Sequence, residues 1–404
     1  MRFIDAAITQ ASDPIFGLTE EFRSDTSTSK VNLGAGVYQS DDGNIFEEEV
    51  VRYVANKLTT EESSKNYLSI GGSPGYCTLS AKVLFGSHSP VIKNNCLASI
   101  QTPGGTGALR IAAELLFKNS STNKEVYVSN PTWPNHQKIF GKEFGAGFSI
   151  SNYPYYNFAD HSIEFESLLS TISSAKKHSI ILLHLSCHNP TGLDLNKTQW
   201  TELAECLKTK QLIPVVDCAY QGFADRTEDD RLGLDVLIEK DVNFLAAQSF
   251  SKTFTLYGER AGALHVVCSS EEDAKKIKTN LLAIARPIYS NPPLHGGKVV
   301  ETILSSDELA SRWDKELNAI RERINYVRAK FCDLLQTKRP DFPLEHIRKG
   351  KGMFSLTGLD LDKINLLKSK YHVYMTNDGR ICLAALNSKN LEYVVDSISS
   401  VLAD

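Results

Sequence analysis

Lys252 lies in the run SFSKTF, residues 249–254, among Ser249, Ser251 and Thr253 and just after an apolar stretch. A lysine held near hydroxyls and shielded from water can have a lowered pKa and form imines with carbonyl compounds. Asp217 closes the apolar run 212–217, and a carboxylate at the base of a pocket needs a positive partner. A pyridinium nitrogen would serve. The segment TPGGTG, residues 102–107, offers free backbone amides and a helix dipole to an anion. It fits neither GxGxxG nor GxxxxGK[ST], which weakens a dinucleotide or P-loop reading. NPTWPNH (130–136) adds an indole at Trp133, SCHNPTG (186–192) adds the amide of Asn189, and Tyr220 follows Asp217.

Each feature has a plainer reading. Glycines before a helix often make only a tight turn, a lone lysine is usually a solvated one, and Trp133 between prolines could cap the core. His184 and His188 are four apart, but no nearby carboxylate completes a metal set. No metal site is predicted.

What binds these residues together is the rhythm of the elements that carry them. Apolar runs at 97–101, 126–129, 180–185, 212–217, 244–248 and 263–267 alternate with helical patterns at 107–118, 163–175 and 197–209. This predicts an α/β fold: a large domain with a mainly parallel sheet flanked by helices. In such sheets ligands bind beyond the carboxyl ends of the strands, where all five segments fall. Pro214 argues against a central place for its strand. After about residue 300 the texture changes to a long amphipathic helix at 306–335, short strands at 353–356, 373–375 and 381–384, and a closing helix at 390–401. The division predicted is 1–45 as an N-terminal arm and first part of a small α+β domain, 46–319 as the large domain, and 320–404 as the rest of the small one. A polar segment at 24–30 reads as a loop.

Composition sets the outer limits. The chain has 404 residues, 42% hydrophobic and 23% charged, with 44 basic and 48 acidic side chains giving a net charge of −4. That balance does not call for a nucleic-acid partner. Eight scattered cysteines without a CxxC pair read as buried thiols in a reducing compartment. The opening MRFIDAAITQASDP lacks a basic region followed by an apolar run, and no apolar stretch approaches a membrane span. A cytoplasmic protein without a membrane partner is predicted.

Ten blocks carry a family resemblance: VNLGAGVY (31–38), NYLSIGG (66–72), QTPGGTGALR (101–110), NPTWPNHQKIF (130–140), HNPTG (188–192), DCAYQGF (217–223), SFSKTFTLYGER (249–260), RPIYSNPP (286–293), GMFSLTGL (352–359) and GRICLAAL (379–386). In this order and spacing, the chain resembles the class I aminotransferases of fold type I, and within them the branch acting on aspartate and 2-oxoglutarate.

The resemblance implies pyridoxal 5'-phosphate as cofactor and a ping-pong transamination. Lys252 would hold the cofactor as an imine and later move the substrate proton. Asp217 would pair with the ring nitrogen, with His136 orienting it. Asn189 and Tyr220 would bond the phenolic oxygen, and Trp133 would lie over the ring. Gly105, Thr106, Ser249, Ser251 and Arg260 would hold the phosphate, with Tyr67 reaching in from the neighbouring subunit of a homodimer. Arg380 would grip the α-carboxylate as a planar fork, and Arg286 of the neighbour the distal carboxylate. Gly36, Ile15, Phe354, Ser290 and Asn291 would line the same pocket. Ala35, Thr255 and Gly258 depart from the family's commonest residues, a branched residue, glycine and asparagine respectively. Two other functions stay open: an aromatic or dual-specificity aminotransferase, and a silent scaffold, although a scaffold would be expected to have lost Lys252, Asp217 or Arg380.

Overall fold

Strand residues that alternate between two buried layers build the centre of the molecule. The computed structural model describes residues 13–61 and 64–403. Its strands are β1 (Val31–Asn32), β2 (Leu97–Pro103), β3 (Glu125–Asn130), β4 (Ser149–Pro154), β5 (Tyr156–Asn157), β6 (Ser162–Ile163), β7 (Ile180–His184), β8 (Ile213–Cys218), β9 (Leu245–Ser249), β10 (Ala261–Val267), β11 (Phe354–Leu356), β12 (Val373–Tyr374) and β13 (Arg380–Cys382). Seven form the main sheet in the order β2-β10-β9-β8-β7-β3-β4, and within it β10 alone runs against the rest.

Along β7, Ile180 and Leu182 pack into one layer with Ala108, Ile111 and Ala112 of the helix Gly104–Lys118. Ile181 and Leu183 pack into the other, with Leu168, Trp200 and Leu203 of the helices Phe165–Ser174 and Lys197–Lys210. Period-two alternation thus buries both sheet faces. Each fully buried aliphatic side chain contributes about 1.5–3 kcal/mol of hydrophobic stabilisation.

The proline in β8 does not push that strand outward, contrary to the sequence expectation. β8 is fourth of seven. Ile213 N donates to Ser179 O on the β7 side, so the Pro214 nitrogen faces β9, whose pairing with β8 begins only at Val215. No ladder bond is lost there.

The chain ends meet. β1 pairs in parallel with β12, and β11 pairs antiparallel with β13. The helix Asp307–Lys338 buries Ile320, Ile324, Val327, Phe331 and Leu335 in one apolar cluster with Leu33, Ile381 and the helix Leu391–Val401, whereas its Trp313 stacks on Phe254 with centroids 4.5 Å apart. This long helix is unbroken across position 319. The segment 24–30 has no strand or helix beyond Ser24. All eight cysteines are free thiols; six are buried, whereas Cys96 and Cys206 are only half-buried, short of the sequence expectation. Residues 1–12, which carry most of the opening from which no secretory signal was read, lie outside the described residues. Among the described residues no helix is long and apolar enough to cross a membrane.

Candidate active site

Because β2, β3, β7, β8 and β9 run the same way, their carboxyl ends meet along one edge of the sheet, and β10 begins there. A cavity of about 300 Å3 opens at that edge. Gly105 and Thr106 reach it from beyond β2, Trp133 from beyond β3, and Asn189 from beyond β7. Asp217 and Tyr220 come from β8 and its turn, Ser249, Ser251 and Lys252 from β9 and its turn, and Arg260 from just before β10. Gly36, Ile15, Phe354 and Arg380 close it from the side of the chain ends.

One end suits a dianion. The helix Gly104–Lys118 starts without a side-chain cap, so its first amides face the cavity end without a side-chain acceptor. Gly104 has φ +69°, and a β-carbon on it would lie 2.6 Å from Arg260 Nη2. Glycine there is what lets the guanidinium approach. Arg260 Nη1 donates to Ser251 Oγ and to Tyr257 O, both at 3.1 Å. Ser251 N donates to Ser249 Oγ at 3.2 Å.

The centre holds an amine and a carboxylate. Burial lowers the Lys252 amine to about 8, the Arg260 charge adds to the effect, and Asp217 opposes it. A lysine so placed is a competent base near neutral pH. Asp217 Oδ2 is 3.0 Å from His136 Nε2. A carboxylate only accepts, so Nε2 carries the proton and Nδ1 accepts from the Thr132 hydroxyl at 2.8 Å. Thr132 in turn accepts from His184 Nε2 at 3.3 Å, and His184 Nδ1 accepts from Asn189 N at 3.5 Å. Burial brings His184 to about 3, so this ring is neutral. His184 and His188 therefore work as links in hydrogen-bonded chains, with His188 held by Ser129 at 2.9 Å and Thr191 at 2.9 Å. Trp133 meets His136 edge to face, with centroids 5.2 Å apart. Tyr220 is buried, which pushes its phenol well up, and it meets Phe354 edge to face.

The other end holds a cation that lacks an anion. Arg380 is buried; Nη1 donates to Asn189 Oδ1 at 3.0 Å and Nη2 to Gly34 O at 2.8 Å. Its carbon Cζ sits 4.3 Å from the Phe354 ring centroid, and its Nε has no partner. A β-carbon on Gly36 would lie 2.8 Å from Phe354 Cζ, so glycine admits that ring. Among the described residues no carboxylate pairs with Arg260 or Arg380. Arg380 is buried and Arg260 half-buried, and cations so placed without anions mark places for anionic guests.

Tyr67, Arg286, Ser290 and Asn291 do not line this cavity. Tyr67 is 85% exposed, and Arg286, also exposed, donates to Ser290 Oγ at 2.5 Å. Asn291 donates to the same oxygen at 3.4 Å. Sequence reasoning missed Thr132 and Phe16. Thr132 stands four before His136, a spacing that could have been noticed; Phe16 lines the cavity mouth beside Ile15, with nothing in its sequence context to announce it. Gly258 looks onto open space.

Residues 28–398 match the model of the aminotransferase class I and II family. The chain is 38% identical to a cytoplasmic aspartate aminotransferase of Oryza sativa subsp. japonica over 98% of its own length and 97% of the relative's. It is 40% identical to a tyrosine aminotransferase of Klebsiella pneumoniae, covering 97% and 98%. It superposes with TM-score 0.96 and 37% identity, over 100% of both chains, on an aromatic-amino-acid aminotransferase from Burkholderia pseudomallei covalently bound to pyridoxal phosphate.

Proposed function

This chain belongs to the class I and II aminotransferases, enzymes that depend on pyridoxal phosphate, and on that footing we propose that it exchanges the amino group between L-aspartate and 2-oxoglutarate, giving oxaloacetate and L-glutamate. The observation that carries transamination is Arg380, a buried cation with an unbonded Nε beside Lys252 and Asp217, and the choice of a dicarboxylic substrate rests on Arg286, exposed outside its own cavity. The residues fit the cofactor. The uncapped helix start with Arg260, Ser249, Ser251, Gly105 and Thr106 would hold the phosphate, Asp217 the ring nitrogen, and Asn189 and Tyr220 the phenolic oxygen. When bound, pyridoxal phosphate supplies a carbonyl that condenses with amines and a ring that draws electrons from the substrate α-carbon.

The chain's own part is binding, orientation and proton movement. Lys252, with its lowered pKa, would take the proton from the α-carbon and deliver it to the cofactor's carbonyl carbon, and would carry the same transfer backward in the second half-reaction. Asp217, fixed by His136, would pair with the ring nitrogen and keep it protonated. Arg380 grips the α-carboxylate and so fixes the direction of the α-hydrogen. Trp133, which lines the cavity, would cover one face of the ring and keep water off it.

Arg286 would bind the distal carboxylate, and Tyr67 the phosphate, in the site of a second subunit of a homodimer. Their exposure outside their own cavity supports this arrangement. We place the working division at 1–45 with 320–404 as the small unit and 46–319 as the large one, with the helix Asp307–Lys338 running through the boundary. A cytoplasmic setting accords with eight free cysteines.

A second reading, aromatic or dual specificity, is favoured by the apolar Ile15, Phe16 and Phe354 at the cavity and by the aromatic relatives. Steady-state rates with aspartate and with phenylalanine, each against 2-oxoglutarate, separate the two. Aspartate should have the higher kcat/KM by about tenfold or more, the worth of one well-made ionic contact. Equal values, or a preference for phenylalanine, would move the assignment to the second reading.

A further inference from the structure

We propose that Glu48 is a positioning residue for Lys252, acting through the hydroxyl of Thr255. The inference rests on the reading of Lys252 as the proton carrier. Thr255 is buried and β-branched, yet its φ is +48°, a backbone that glycine takes freely and a branched residue resists. Two contacts hold it there. Glu48 N, at the start of the helix Glu49–Glu61, donates to Thr255 Oγ1 at 3.0 Å. The Thr255 hydroxyl lies 3.4 Å from Glu48 Oε2.

Glu48 itself is unusual. Its exposure is 0%, its Oε1 has no partner, and among the described residues no cation pairs with it. From the helix Asp307–Lys338 the carboxylate of Glu316 faces the same spot, accepting from Val50 N at 3.2 Å through both oxygens. From the lysine turn the hydroxyl of Thr255 faces it, and the phenol of Tyr257, which accepts from Tyr38 N at 3.0 Å, lies within reach of its charge. A buried carboxyl facing acid and hydroxyl groups, with no cation, is held neutral. Burial first, and Glu316 second, push its pKa up, in agreement with that arrangement. A neutral carboxyl and a hydroxyl can each donate and accept, so the two form a buried pair.

The pair acts on the lysine through one turn of chain. Thr255 N donates to Lys252 O at 3.1 Å, closing the turn on which Lys252 stands. Lys252 Nζ lies 5.7 Å from the ring centroid of Tyr257, two residues beyond Thr255, and Tyr257 O accepts from Arg260. Slackening Thr255 shifts the amine relative to Asp217 and Arg260 while leaving Arg380 untouched. The signature is therefore a change in kcat and in the electrostatics of the lysine, with substrate affinity conserved.

The test compares Glu48→Gln, Glu48→Leu, Thr255→Gly and Glu48→Leu/Thr255→Gly. Each is assayed as the loaded enzyme for kcat, KM and the pH midpoint of the cofactor absorbance. Each is also assayed cofactor-free, for the pH midpoint at which Lys252 is acylated, read by mass spectrometry. Gln, neutral and of the same size, should stay within about twofold of wild type in kcat. Leu and Gly singly should lose about five- to tenfold in kcat with KM held within about twofold. Both should move the two midpoints by about half a pH unit or more. The double variant removes the carboxyl and the hydroxyl together, relieves the backbone and leaves only the Glu48 amide without its acceptor, so it should recover part of the loss.

Singles with wild-type kcat and midpoints, or a double whose loss is the product of the two singles, would overturn the proposal. If a single variant fails to fold, the recovery or non-recovery of the double decides the matter. Borohydride reduction of the wild-type enzyme keeps the two questions apart. Cofactor trapped on another lysine refutes the role of Lys252, whereas trapping on Lys252 with unaffected Glu48 variants refutes only the positioning role.

Discussion

His136 and Asp217 are joined at 3.0 Å, and their bond is the last of a chain in which every proton points the same way. From Asn189 N through His184 and Thr132 to His136, each donor faces Asp217. Aligned donors polarise one another and stabilise a negative charge at the end of the row. His136→Leu should therefore weaken cofactor retention or turnover by about tenfold or more, since a hydrogen bond to a charged group contributes about 1.5–3 kcal/mol. Thr132→Val, which keeps the final bond and breaks the row behind it, should lose less. Cofactor release followed by absorbance measures both; equal losses would count against the directional chain.

Lys252 is the second handle. In cofactor-free protein its amine should titrate near pH 8, below the ordinary 10.5, because burial and Arg260 disfavour its charge. Below that midpoint it is protonated and inert to acylation; above it the neutral amine reacts. Asp217→Asn removes a neighbour that favours the ammonium, so the midpoint should fall further. Arg260→Met should raise it. Lys252→Ala should abolish transamination while cofactor still binds, and ordinary activity in that variant would sink its assigned role.

The two arginines should fail in different ways. Arg380→Met removes the grip on a group that every amino acid carries and strands Asn189 Oδ1 and Gly34 O. It should cut kcat/KM about a hundredfold or more for aspartate and phenylalanine alike, in line with the loss of a buried charged contact. Arg286→Leu should penalise aspartate far more than phenylalanine. Mixing the two inactive variants and allowing subunits to exchange should restore about a quarter of wild-type aspartate turnover, because random pairing gives half the dimers one intact site. No recovery on mixing would argue that both arginines serve one subunit.

Asp25 ties the first helix to the closing strands. Its carboxylate accepts from Ser27 N at 2.8 Å and the Tyr374 hydroxyl at 2.7 Å, and sits 2.7 Å from His372 Nδ1. The Ser27 amide and then the Tyr374 hydroxyl hold it down at about 2, below the ordinary 3.8. A depressed carboxyl stabilises the fold fully above its unfolded value and loses that contribution as pH falls through its folded value. Asp25→Asn should therefore lower Tm at pH 7, and the gap from wild type should narrow from about pH 4 downward to a small part of its neutral-pH size at pH 2. A gap as wide at pH 2 as at pH 7 would contradict this.

The large sheet and the residues beyond its strand ends were legible because both are local. Period-two apolar runs mark strands, and a residue at a strand's end or in the turn just beyond it is placed by the strand itself. Asp217 at the end of β8, and Lys252, Asn189 and Trp133 in the turns beyond β9, β7 and β3, follow that rule. What composition and spacing could not supply is contact between segments far apart in the chain. Arg380 reaching Asn189 and Gly34 is such a case, and so is Glu48 against Thr255. The misplaced expectation for Pro214 has a similar origin. Whether a missing amide matters depends on where the neighbouring strand begins, and that is a property of pairing.

The parallel pairing of Val31 with Val373 also governs how the molecule comes into being. During synthesis Val31 leaves the ribosome early and must wait, unpartnered, until almost all the rest of the chain has been made. The large sheet can assemble in the meantime, since β2 to β10 are complete by residue 267. Closing so long a loop adds only a slowly growing entropic cost but delays the contact itself. Gly34, whose carbonyl receives Arg380, stands three residues beyond Val31. The Arg380 end of the cavity is therefore the last to form, and a nascent chain can set Arg260 against Ser251 before Arg380 meets Gly34 and Asn189.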